Sequence, residues 1–248
     1  MTSTLYDDPD LFDALLPASE SQLGFYSTLA LRHPEAVLAL ACGSGQIIVP
    51  IAAKGIPVTG LDQSSKMLSA ASRRAGAAGT KLELIEGDMR DFNLGRQFSL
   101  IFVARNSLLH LSEPTEFARF FSSVRHHLRP GGVLAFDVFN PSGRVLALPA
   151  RQRFHLMRKL SPLHGELTVE ATNDYDSCSQ VNRGTWFIST AETRDAWVVP
   201  LHLRSIFPQE LLVLLGANGF RLVCRDGDFG GGTFVNSSVN QVCQCQVA

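Results

Sequence analysis

The chain has 248 residues, 45% of them hydrophobic, and a formal net charge of −1. A chain of this length buries most of its apolar surface without disulfide help, and a near-neutral charge supplies no field to draw it to nucleic acid or to an anionic membrane. The five cysteines are odd in number, and none stands in a CxxC spacing, which points to reduced thiols in a cytoplasmic protein rather than to a disulfide framework or a metal site.

The opening MTSTLYDDPD is acidic and polar, unlike a signal peptide, and no apolar run reaches the roughly 18–20 residues that span a bilayer. Residues 8–33 place Leu11, Phe12, Leu15 and Leu16 at helical spacing and predict a helical cap over 1–33. AVLALA (36–41) is a short apolar run of the kind that forms a central parallel strand. From Ser44 a helix is expected through Ile47, Ile48 and Ile51. PVTGLD (57–62) is a second strand and SSKMLSAASRRAG (64–76) a helix with a serine cap. KLELIEGD (81–88) and FSLIFVA (98–104) are the third and fourth strands. Glu113–Leu128 is a helix with Phe117, Phe120, Phe121 and Val124 inward. RPGG then turns into VLAFDVF (133–139), the fifth strand. Strand and helix alternate throughout, which predicts a parallel sheet with right-handed crossovers.

After residue 140 the pattern changes. ELTVEATNDY, QVNRGTWFIS and AWVVPLHLRSIF show partial period-2 alternation and predict an antiparallel insertion of three strands within 142–207. FPQELLVLLGANGF is a helix closed by glycine, and RLVCRDGDF and NQVCQCQVA are two last strands.

VLALACGSGQ (37–46) is a strand running into a glycine-bearing turn, which lets backbone approach a ligand. It lacks the Gly-Lys-Ser/Thr of a phosphate loop, and Ile48 stands where a dinucleotide turn has its third glycine. Asp62 ends the second strand, where a carboxylate accepts from a ribose diol; the same residue would also serve as a helix cap. Asp88 ends the third strand, where it accepts from an adenine amine or caps the following turn. Met67 and Met89 suit the faces of a base, and equally suit core packing. Together these residues outline an adenosine whose 5′ substituent is small.

VLALACGSG, VTGLDQSSKML, EGDMRDF and LRPGG, in that order, resemble the motifs of class I S-adenosylmethionine-dependent methyltransferases. EGDMRDFNLGRQFSLIF and HLRSIFPQELLVLLGANGF look most like small-molecule members, above all the nucleotide-amino-sugar N-methyltransferases. The resemblance covers residues 35–140 and resumes after 207. It implies a Rossmann-like, mostly parallel seven-stranded α/β sheet with the antiparallel insertion after strand five as a substrate cap, all in one domain. It also implies S-adenosyl-L-methionine as cofactor and S-adenosyl-L-homocysteine as product.

By the resemblance, Ala41, Gly43, Ser44 and Gly45 line the methionine part of the cofactor. Asp62 holds the ribose with Gln63 and Met67 beside it, and Asp88 and Met89 hold the adenine. Ala104 faces the sulfonium with Arg105 next to it, and Tyr6 and Tyr26 close over the cofactor. The chain departs from the family at Ala39, where many members carry an acid, and at Ala41, where many carry glycine.

On the substrate side, His110 in NSLLHL is the candidate base, or else a helix cap. Residues 144–159 hold five cations and no acid, a solvated rim or a clamp for an anionic group in which Arg151 and Arg153 take part. His202 and Arg204 share one face of the last insertion strand. The expected activity is methyl transfer to an oxygen or nitrogen of a small molecule by a monomer or homodimer. The alternatives are a noncatalytic S-adenosylmethionine binder, which Ala39 would suit, an NAD-dependent oxidoreductase, and a nucleic-acid methyltransferase; against the last, FNPS at 139–142 only partly matches an NPPY-type tetrapeptide.

Overall fold

The computed structural model describes residues 4–248. Met1, Thr2 and Ser3, the start of the expected N-terminal cap, lie outside the described residues. In chain order the elements are α1 (Pro9–Leu15), α2 (Glu20–Arg32), β1 (Val37–Leu40), α3 (Ile48–Ala52), β2 (Val58–Asp62), α4 (Ser65–Ala77), β3 (Glu83–Glu86) and β4 (Phe98–Val103). They continue with α5 (Pro114–His127), β5 (Leu128–Phe139), α6 (Gly143–Leu146), β6 (Phe154–Ser161), β7 (Gly165–Thr172), β8 (Tyr175–Asp176), β9 (Val181–Ser189), β10 (Trp197–Arg204), α7 (Pro208–Ala217), β11 (Phe220–Asp226) and β12 (Asn240–Val247).

The chain divides into two compact units, Met1–Pro17 with Pro141–Ser205 and Ala18–Asn140 with Ile206–Ala248. The second holds a seven-stranded sheet in the order β11-β12-β5-β4-β1-β2-β3. β1 runs parallel to β2 and β4, β2 to β3, and β4 to β5, while β12 is antiparallel to both its neighbours. All four residues of β1 are buried, as expected of a strand with both faces covered. Tyr26, Leu29, Ile48, Ile51, Phe102 and Ala135 belong to one apolar cluster with Val37 and Ala39. Ala39, at the family's acidic position, thus sits in the core, paired with Gly60 on one side and Phe102 on the other.

Local chemistry explains the helix limits. Ser64 caps α4 by accepting from the Met67 amide, and Pro114 opens α5, whose inner face buries Phe117, Phe120, Phe121 and Val124. The helix expected from Ser44 starts later, at Ile48, because Gly43 and Gly45 take φ of 56° and 79°, outside the helical region. The last strands form the antiparallel β11–β12 pair.

The first unit carries a separate sheet, ordered β10-β9-β7-β6 with β8 paired to β9. Leu5, Leu11 and Leu15 pack with Leu167, Val169, Ile188 and Val199 to form its core. β7, β9 and β10 match the three runs of alternating sequence. β6 was not expected: its burial alternates poorly and it carries Arg158 and Lys159, so its sequence reads as a basic rim. It is an edge strand, where charges are tolerated and discourage further pairing.

Candidate functional site

The order of connection reverses between β1 and β4, and in open α/β sheets ligands bind at the carboxyl ends of the strands flanking such a point. β1 ends there in an unusual turn. Ala41, Gly43 and Gly45 all have positive φ, 50°, 56° and 79°. Nothing lies within 4 Å of the place where a Gly43 Cβ would stand, whereas a Gly45 Cβ would come within 3.0 Å of Ala71 Cβ on α4. Gly43 therefore presents open backbone, and Gly45 lets the turn press onto a helix. Ala41 holds a left-handed conformation that costs an L-residue about 1–2 kcal/mol.

The turn is tied on three sides. The Gly43 amide donates to Asp62 Oδ2 at 2.8 Å. Arg74 of α4 donates to the Ser44 carbonyl. Gln46 Oε1 accepts from the Ala18 amide, just before α2, at 2.5 Å. Ser44 itself is buried.

Asp62 closes β2 and is only 9% exposed. Besides Gly43, its Oδ1 accepts from the Ser64 amide at 2.9 Å. Burial pushes its carboxyl up from the ordinary value, against the lowering by the Ser64, Gly43 and Gln63 amides. Gln63 is exposed, whereas Met67 is 1% exposed and packed inside. Met67 in this arrangement is a core residue, not an open face for a base.

Asp88 lies in the turn beyond β3, and Arg90 occupies it. Oδ1 accepts from the Arg90 amide at 2.8 Å and from Nε at 3.0 Å, and Oδ2 accepts from the Arg90 guanidinium at 2.9 and 2.6 Å. These bonds hold its carboxyl below the usual range. Arg90 also bonds Glu116 at 2.5 Å, joining the turn to α5. A carboxylate has about four acceptor positions, so Asp88 is not the free acceptor expected from the sequence. Met89 beside it is half-buried.

At the end of β4 a second tight turn follows. Ala104 is buried, and Arg105 and Asn106 both adopt the left-handed conformation, with φ of 61° and 62°. Their amides donate to Asp137 on β5, Arg105 to Oδ1 at 2.8 Å and Asn106 to Oδ2 at 3.2 Å. Tyr26 donates its hydroxyl to Asp137 Oδ1 at 2.6 Å. Asp137 and Tyr26 are both 0% exposed. Burial pushes both groups up, and for Asp137 the tyrosine hydroxyl and the two amides oppose it. Tyr26 therefore braces the core, with its ring against Phe102 at 4.8 Å between centroids and against Phe25 at 5.0 Å. A short 3-10 helix, Ser107–His110, continues the turn. His110, at its end, is exposed, and the partial loss of hydration around its ring lowers its pKa from the ordinary 6.5.

The match to a family model falls on this unit. Residues 37–132 match the model of the methyltransferase domain. Over these residues the chain is similar to that domain. A dTDP-3-amino-3,4,6-trideoxy-alpha-D-glucopyranose N,N-dimethyltransferase of Streptomyces venezuelae is 36% identical over 108 residues, 43% of this chain and 44% of that protein. The match thus spans less than half the length of that curated relative. Among solved structures, the CcbJ methyltransferase from Streptomyces caelestis superposes with a TM-score of 0.83 at 24% identity, over 99% of this chain and 98% of that one. The SAM-bound amino pentose methyltransferase CalS10 from Micromonospora echinaspora does so with a TM-score of 0.72 at 17% identity, over 98% of each chain. These two likenesses establish the fold.

The second unit brings together Ala41, Gly43, Ser44, Gly45 and Asp62 around one turn, and Ala104 and Arg105 around the next. Tyr26, Gln63, Met67, Asp88, Met89 and His110 belong to the same unit, whereas Tyr6, Arg151, Arg153, His202 and Arg204 lie in the other. There Tyr6 stacks with Phe12, their ring centroids 5.7 Å apart. Arg153 binds both oxygens of Asp195 at 3.0 Å, lies 3.6 Å from Glu170, and covers the Phe187 ring at 3.4 Å. Its charge is matched within its own unit, which corrects the expectation of a cation held ready for an anionic substrate. Arg151 and His202 are exposed, and Arg204 donates to Gln180 Oε1 at 2.8 Å. No group of three or more metal-binding side chains occurs among the described residues, nor any helix long and apolar enough to cross a membrane.

The sequence reading missed Gln46, Asn106 and Asp137. For Asp137 a signal existed: it is the one carboxylate in VLAFDVF, an otherwise apolar buried strand, and a buried charge requires partners.

Proposed function

We propose that this chain transfers a methyl group from S-adenosylmethionine to a nitrogen of a small amino-bearing molecule, an amino sugar being the favoured class. The observation that carries the reading is the Gly43–Asp62 clasp at the point where the sheet order reverses. A turn with three left-handed residues and open space over Gly43 suits the amino-acid end of the cofactor. Asp62, an ionisable acceptor at the carboxyl end of β2, suits a ribose diol. Ala104 and Arg105, across the gap from β1, would border the sulfur. The choice of nitrogen rests on the Streptomyces venezuelae relative, a sugar N,N-dimethyltransferase by name.

The cofactor supplies an activated methyl, so the protein's task is alignment and proton removal. Holding two reactants in line is worth up to ~7–11 kcal/mol. The acceptor nitrogen forms a bond to the methyl carbon as the carbon–sulfur bond breaks and its electron pair stays on sulfur. The nitrogen must lose a proton, and His110, whose pKa is lowered in the turn beyond β4, is the group to take it.

The test is calorimetry with S-adenosylmethionine and S-adenosylhomocysteine, followed by transfer of a labelled methyl to dTDP-linked amino sugars and their hydroxyl counterparts. Binding of the cofactor and labelling of the amino compounds alone is the expected result. NAD binding in its place would overturn the reading, and labelling of the hydroxyl compounds would overturn the choice of nitrogen.

A further inference from the structure

The strongest unexplained feature of the second unit is a fully buried carboxylate. Asp137 lies on β5, beside Val242 of β12 and one residue beyond the Phe136–Val103 pairing with β4. It is fully enclosed, and an enclosed charge is costly unless its bonds serve something. Its three donors come from two places: the Tyr26 hydroxyl on α2 and the successive amides of Arg105 and Asn106.

Those amides belong to the only two consecutive non-glycine residues with positive φ among the described residues. Two side-chain-bearing residues in the left-handed region store strain, and such strain persists only where surrounding contacts over-determine it. The turn carries a second cost, because the Asn106 Oδ1 atom is buried without a hydrogen-bond partner. Strain, a buried unpaired oxygen and a buried charge converge on one turn at the carboxyl end of β4. A turn needed only to link β4 to the next helix would not require them.

We propose that Asp137 is a positioning residue for methyl transfer: its grip on the Arg105 and Asn106 amides, itself fixed by Tyr26, sets the left-handed turn that borders the cofactor's sulfur. This rests on the function proposed above. Asp137 touches neither reactant. It acts through the turn, and Tyr26 acts through Asp137.

S-adenosylmethionine and S-adenosylhomocysteine differ only at the sulfur, by one methyl and one positive charge. The ratio of their dissociation constants therefore reads the surroundings of the sulfur without any acceptor. The experiment is calorimetry of both ligands on the full chain, as wild type, Asp137→Asn and Tyr26→Phe. Asp137→Asn sets an amide donor against backbone donors, and should weaken the methylated ligand about tenfold relative to the demethylated one. Tyr26→Phe leaves the charge in place but unfixes it, and should move the ratio the same way by about threefold. A purely structural role would weaken both ligands together and leave the ratio unchanged. A purely electrostatic role would raise the preference for the cationic ligand in Tyr26→Phe, since the carboxylate loses a neutralising donor.

Ratios within about twofold of wild type in both variants, or a shift of opposite sign in Tyr26→Phe, would overturn the proposal. If Asp137→Asn does not fold, Tyr26→Phe carries the decision. Binding of neither ligand by the wild type overturns the proposed function itself, a result distinct from an unchanged ratio.

Discussion

The Gly43 amide and the Asp62 carboxylate meet at 2.8 Å, so the ligand turn after β1 is held by the residue that ends β2. Asp62→Asn puts an amide donor against one of the backbone donors it accepts from. Hydrogen bonds to a charged group are worth about 1.5–3 kcal/mol each. The expected outcome is a loss of S-adenosylmethionine affinity of about tenfold or more, with a lower melting temperature, measured by calorimetry and thermal unfolding. Unaltered affinity would remove Asp62 from the cofactor site.

Opposite signs are expected at two positions of the same turn. Ala41 holds φ of 50° with a Cβ, so Ala41→Gly relieves left-handed strain of about 1–2 kcal/mol, against an unfolded-state entropy cost of about 0.4–1 kcal/mol. Unfolding should show it neutral to about 1 kcal/mol more stable. Gly45 has φ of 79° and only 3.0 Å of room before Ala71. Gly45→Ala should destabilise by about 1–3 kcal/mol. Equal effects at the two positions would contradict the geometry.

His110 gives a pH signature. Its pKa is lowered from 6.5 by loss of hydration, so the neutral, proton-accepting form is favoured and its loss on acidification is displaced to lower pH. Activity dependent on it should be level above pH 6.5 and fall on the acid side. His110→Ala should remove this acid limb and cost about 10²-fold in kcat. An acid limb that survives the substitution would assign it to another group.

The thiols should divide sharply. Cys178 is exposed, while Cys243 and Cys245 are buried. Burial pushes Cys245 up to about 12 and Cys243 well above its ordinary value. Thiolate is the reactive form, so alkylation of the native protein followed by mass spectrometry should modify Cys178 first. Cys243 and Cys245 should react only after unfolding.

Much of the second unit was legible in the sequence because its signals are local. Four-to-seven-residue apolar runs between capped helices mark the parallel strands, and β1, β2, β4 and α4 lie within a residue or two of their expected limits. The insertion was less legible. β6 has charges on an exposed edge strand, and charge on a strand does not produce the alternation by which strands are recognised. Asp88 was legible as a polar strand-end residue, but not its capture by Arg90 two positions later.

By itself, the sequence determined the alternation of strand and helix, the glycine turn after β1 and the carboxylate at the end of β2, because each depends on residues near one another in the chain. Only the tertiary structure decided that Tyr26 and Asp137, 111 residues apart, would meet in the core, and that their bond would hold the turn at Arg105 and Asn106. A buried charge must find its donors wherever packing delivers them, and no local pattern records which distant helix will bring the hydroxyl.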